Sequence, residues 1–146
     1  MKKILLALSI VLTIGLSGAL ANEETKIDPK VLSAFQKEFS FAKNVSWISD
    51  KELSQVRFSL NDQGFVAWYN ADAELISVER NILYMQLPLS VIKSLEEKYS
   101  KADFFSITEV TRNYETTYYI IAEEKNKKLL LQATPSGSLS VVKKIK

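Results

Sequence analysis

The stretch FAKNVSWIS, Phe41 to Ser49, is where the chain changes its period, and the reading of the fold turns on it. Before it, Val31, Leu32, Phe35 and Phe39 recur at helical spacing, so one face of a helix is apolar while Lys30, Lys37 and Glu38 stay wet. Asp28-Pro29 opens that helix, an N-cap acceptor followed by a proline in the first turn where its missing N–H costs nothing. From Val45 the pattern alternates, with Val45 and Trp47 pointing one way and Val56, Phe58 and Leu60 continuing it in the next run. Trp47 thereby reads as a core anchor sharing a strand face with Val45, in preference to an exposed platform for a ligand.

Working outward, Asn61-Asp62-Gln63-Gly64 is a turn in which the glycine is available for positive φ. Phe65 to Tyr69 and Glu74 to Glu79 are strands joined by the turn Asn70-Ala71-Asp72-Ala73. After Leu87-Pro88 the order begins again. Val91, Ile92, Leu95 and Tyr99 form a helical stripe, Phe105 and Ile107 alternate, and strands through Ile120, Leu131 and Val141 follow. Displacing the chain by 60 residues sets Val31 on Val91, Phe35 on Leu95, Phe39 on Tyr99, Trp47 on Ile107 and Phe58 on Tyr118. The expectation is an α+β fold built as a tandem repeat, each unit a helix followed by an antiparallel β-meander, over about 28–82 and 88–145.

Residues 1–21 read differently. Lys2 and Lys3, the apolar run from Ile4 to Leu16 and the small-x-small site Ala19-Leu20-Ala21 have the form of a bacterial Sec-type signal peptide cleaved near Ala21. Ser17 and Gly18 interrupt the run short of the roughly 20 apolar residues a membrane span needs. The expectation is a periplasmic or secreted protein with no stable transmembrane anchor after cleavage, and residues 22–146 forming a single domain. Of 19 Lys and Arg, two lie in the leader, leaving 17 against 17 Asp and Glu. A neutral domain gives no reason to expect nucleic acid as a partner.

Composition also limits the chemistry. There is no cysteine, so no disulfide holds the domain and no lipid can be attached as in a lipoprotein. There is no histidine, which removes the usual general base, the Ser-His and Cys-His nucleophile pairs and the commonest metal ligand. Ser90-Val91-Ile92-Lys93 matches S-x-x-K but lacks its S-D-N and K-T-G companions, and a serine near a helix start is ordinary. The adjacent acids Glu96-Glu97 and Glu123-Glu124 diverge where a glycosidase needs convergence. Lys125 to Lys128 and Lys143 to Lys146 read as a hairpin tip and a solvated tail. The expectation is no enzyme, no catalytic residue, no metal and no cofactor.

What remains is a surface. In Val66-Ala67-Trp68-Tyr69 alternation sends Trp68 and Tyr69 to opposite faces, so one of them stands on the side away from the helices, and Tyr118-Tyr119 poses the same choice. Trp68 or Tyr69, Tyr118 or Tyr119, Arg57 and Arg112 are the candidate partner-binding residues, of the types that dominate binding hot spots.

Phe39, Ala42-Lys43-Asn44-Val45-x-Trp47, Phe58, Ala67-Trp68-Tyr69, Leu87-Pro88 and Tyr99 together resemble the PepSY-like proteins, small secreted bacterial proteins described as β-lactamase-inhibitor-like. The likeness runs from about Val31 to Val142, and departs at Asn70-Ala71-Asp72-Ala73, where that family usually has Asp-Gly. The resemblance implies helices packed on one face of an antiparallel sheet with the other face free. It also implies a non-enzymatic module that binds a protein of the cell envelope, as an inhibitor or modulator of a secreted enzyme such as a peptidase. The alternative is a carrier or sensor of a small ligand or envelope polymer on the same face.

Overall fold

The computed structural model describes residues 26–50 and 52–145, so the expected leader lies outside the described residues. The first helix, α1 (Pro29–Glu38), is started by the Asp28 carboxylate, which accepts the Lys30 N–H at 2.8 Å, and it buries Val31 and Phe35. Four strands follow: β1 (Lys43–Ser49), β2 (Leu53–Leu60), β3 (Gln63–Asn70) and β4 (Leu75–Ile82). A 3-10 turn (Tyr84–Gln86) leads into α2 (Leu89–Lys98), which buries Val91 and Leu95. The remaining strands are β5 (Asp103–Arg112), β6 (Glu115–Glu124), β7 (Lys127–Ala133) and β8 (Leu139–Ile145).

All eight strands belong to one sheet in chain order, every pair antiparallel. This corrects the expected α+β tandem repeat of helix and meander. β4 pairs with β5 from Val78↔Thr111 to Ile82↔Ile107, and Arg80 Nε donates to Glu109 Oε1 at 2.7 Å across that pair, so no boundary divides the sheet. The described residues are mostly strand in one open antiparallel sheet, with only two α-helices of ten residues each among them. The physical reason is edge pairing. Had β4 and β5 ended separate sheets, each would expose a row of unpaired backbone groups, and joining them satisfies both.

Local chemistry sets the turns. Asn61-Asp62, Asn113-Tyr114 and Lys125-Asn126 each place two residues at positive φ, the geometry of a tight hairpin whose twist matches its strands. Gly64, expected to supply the positive φ at the first of these, lies in β3 instead, and Asn61 and Asp62 take the strained positions. The Asp50 carboxylate accepts the N–H groups of Glu52 and Leu53, each at 2.8 Å, which turns β1 into β2 and holds its pKa below the ordinary value. Lys143 and Lys144, expected in a solvated tail, lie in β8, which runs on to Ile145.

Two apolar clusters lie on the helix side. Under α1, Val31 and Phe35 meet Val56, Phe58, Ala67 and Tyr69, with Phe35 edge-on to Trp47 and Phe58 at 5.2 and 5.1 Å between ring centroids. Under α2, Val91 and Leu95 meet Ile82, Ile107, Tyr118, Ile120 and Leu131. Trp47 packs on the rim of the first cluster, half-buried, so it is less complete an anchor than expected. Val45 and Phe105, both expected inward, are exposed. The cause is a register shift in each strand, between Lys43 and Ser46 with Asn44 at φ 52°, and between Phe105 and Thr108 with Ser106 at φ 50°.

Candidate functional site

With both helices on one side, the other face of the sheet is free of any element among the described residues, and the strand register states which side chains share it. One row crosses Arg57, Val66, Glu79, Val110 and Thr117, each directly opposite the next. Beside it Ile48, Gln55, Trp68 and Ser77 form another, and farther along Thr108, Tyr119, Gln132 and Ser140 form a third. Neighbours in a row stand about 5 Å apart, so each row is a continuous strip of side chains.

This face is not bare. Ser77 at 2 %, Val110 at 5 % and Ile121 at 3 % exposure lie on it, yet only longer neighbours on the same face can cover them. Trp68 and Arg112 are half-buried over this floor, and Trp68 Nε1 and Arg112 Nε are sealed from solvent without closing a hydrogen bond. Glu79 completes the group. Burial pushes its carboxyl pKa up, while the nearby Trp68 indole N–H and the Arg112 charge pull the other way and favour the carboxylate. Toward β7 the polar groups are satisfied: Lys128 Nζ pairs with Glu123 at 3.5 Å and sits 5.5 Å from the Phe105 ring centroid.

The six candidate binding residues divide. Trp68 and Tyr119 are half-buried on the free face, Arg57 is exposed there and Arg112 is half-buried there. Tyr69 at 0 % and Tyr118 at 6 % exposure face the helices and belong to the two apolar clusters, so neither can touch a partner on the free face. The Tyr69 hydroxyl is buried without a hydrogen-bond partner, and burial drives its pKa far up. Tyr118 lies beside the Arg80–Glu109 pair, and burial raises its pKa too. Glu79 gave no signal in the sequence, because its place between Trp68 and Arg112 depends on the register of three strands.

Ser90 has a structural use. Its hydroxyl donates to the Pro135 carbonyl, tying the start of α2 to the turn between β7 and β8, while Lys93 is exposed. Among the described residues no three acids come together as a metal site, and no helix is long and apolar enough to cross a membrane.

No family model and no curated protein matches this chain, so the PepSY-like resemblance is without a family match. Solved structures do match. A DUF2874 family protein from Bacteroides uniformis superposes with a TM-score of 0.73 at 18 % identity, over 82 % of this chain and 89 % of its own. A candidate periplasmic protein from Bacteroides eggerthii gives 0.71 at 20 % identity, over 82 % and 88 %. A BLIP-like protein from Bacteroides fragilis gives 0.72 at 18 % identity, over 83 % and 89 %. At these identities the likeness is one of fold, and the fold is BLIP-like.

Proposed function

We propose that the protein is a non-enzymatic binding module of the bacterial periplasm that grips a protein with the free face of its sheet. The observation that carries this reading is the half-buried group of Trp68, Glu79 and Arg112, in which Trp68 Nε1 and Arg112 Nε close no hydrogen bond, at the middle of a face that no other element among the described residues covers. Tryptophan and arginine on a rigid strand scaffold are suited to a hot spot, since little conformational freedom is lost on contact. One neighbour described as BLIP-like supports this reading through its fold, and one described as a candidate periplasmic protein supports it in compartment. Within this reading, restraint of a secreted enzyme such as a peptidase is the role the inhibitor-like fold suggests.

The test is affinity capture from native envelope extract on the immobilised protein, beside titration of tryptophan fluorescence with lipids, peptides and glycan fragments. One protein retained, and inhibited if it is an enzyme, supports the reading. No protein retained, with a saturable fluorescence change on a small ligand, replaces it with a carrier or sensor role.

A further inference from the structure

At the middle of the free face one carboxyl group lies within reach of two donors. Glu79 on β4 stands opposite Val66 on β3 and Val110 on β5, and Trp68 and Arg112 lie two residues farther along those same strands. Such diagonal neighbours are roughly 7–8 Å apart at the backbone, within reach of long side chains. Trp68 Nε1 and Arg112 Nε are each sealed from solvent and close no hydrogen bond. On this face, among the described residues, β3 sets no charged side chain beside Glu79 and β5 sets only Arg112. Farther off, Arg57 on β2 lies in the row of Glu79, and Glu115 on β6 stands across from Arg112.

The two forms of Glu79 treat those donors differently. As a carboxylate it takes both N–H groups in charge-assisted hydrogen bonds, which offset the cost of its own burial. Protonated, it loses that charge, and each donor left buried without a partner carries its full desolvation penalty. The donors then recover a partner only by turning toward water or an arriving acceptor. Resting on the free-face reading, we propose that a proton on Glu79 releases Trp68 and Arg112 from the sheet, so that recognition by this face strengthens as the pH falls. Burial favours the neutral form and moves the release above the range of a solvated glutamate. The indole N–H and the Arg112 charge act against that shift, so each sets where the release occurs.

The chain has two tryptophans, Trp47 on the helix side and Trp68 on the free face, so Trp47→Phe leaves Trp68 as the single reporter. The experiment follows acrylamide quenching of Trp68 emission from pH 8 to pH 4, with near-ultraviolet circular dichroism to show that the fold persists. The expected result is one transition, with Trp68 more accessible on the acid side, that is absent from Glu79→Gln. In Arg112→Gln its midpoint should rise by roughly half a pH unit or more, and in Arg112→Lys, which keeps the charge, by less. Quenching that ignores pH, a transition retained in Glu79→Gln, or a midpoint unmoved in Arg112→Gln would overturn the proposal. The free-face reading is scored separately, by capture at pH 5 and pH 8. A protein retained equally at both and lost with Trp68→Ala overturns the switch and leaves the face standing. The expected transition with no protein retained at either pH supports the switch and removes the protein-binding reading.

Discussion

Trp68 and Tyr69 are neighbours in β3 that belong to different environments: Tyr69 is fully buried against Val31 and Phe35 of α1, and Trp68 lies opposite Ser77 on the side the helices leave free. One is part of what holds the sheet to its helix, the other part of what the sheet presents. Substitutions at the two positions therefore separate stability from recognition.

At Tyr69 the ring and the hydroxyl make opposite contributions. The hydroxyl is buried with no acceptor or donor in reach, so Tyr69→Phe removes an unsatisfied polar group and should leave stability unchanged or raise it by about 1 kcal/mol. Tyr69→Ala empties a filled core position and should cost about 3–5 kcal/mol. Urea denaturation of both variants checks this, and a clear loss with Tyr69→Phe would mean the hydroxyl has a partner.

Gly137 and Gly64 should respond oppositely to the same change. Gly137 has φ +93°, and a Cβ there would come within 2.6 Å of the Ser90 carbonyl oxygen, so Gly137→Ala should cost roughly 1–3 kcal/mol and loosen the β7–β8 turn from α2. Gly64 has nothing within 4 Å of such a Cβ, and Gly64→Ala should stay within about 0.5 kcal/mol of wild type. Thermal melts of the pair decide it.

Glu79 gives the stability a pH dependence of known sign. Its folded pKa is raised above the ordinary 4.5, so the folded state holds the proton more tightly than the unfolded chain. The stability this contributes is fully present below about 4.5 and is lost as the pH rises through the raised folded value. Glu79→Gln cannot ionise, so its stability relative to wild type should be higher at pH 8 than at pH 4. Denaturation at the two pH values tests this, and an advantage for the variant that shrinks with rising pH would contradict the assignment.

The local parts of this fold were legible in the sequence and the non-local parts were not. Val31 and Phe35, and Val91 with Leu95, stand out because a helix buries residues at a fixed short spacing, and all four are buried. Val45 and Phe105 misled because the irregularities that turn them outward place Asn44 and Ser106 at positive φ, and neither residue advertises that conformation as a glycine would. The pairing of β4 with β5, which makes one sheet of the strands, joins residues about 25 to 33 positions apart and has no local signature. The candidate site suffered similarly. Alternation sends Trp68 and Tyr69 to opposite sides without saying which side is free, and Glu79 meets Trp68 and Arg112 only through register.

Recognition by the free face is tested by comparing capture by three forms of the immobilised protein: wild type, the free-face variant Trp68→Ala/Tyr119→Ala, and the control Met85→Ser in the turn before α2, whose side chain is exposed. Near-ultraviolet circular dichroism confirms that each is folded. The expected result is one envelope protein retained equally by wild type and control and lost from the free-face variant. Retention by the free-face variant, or loss with the control, would contradict it.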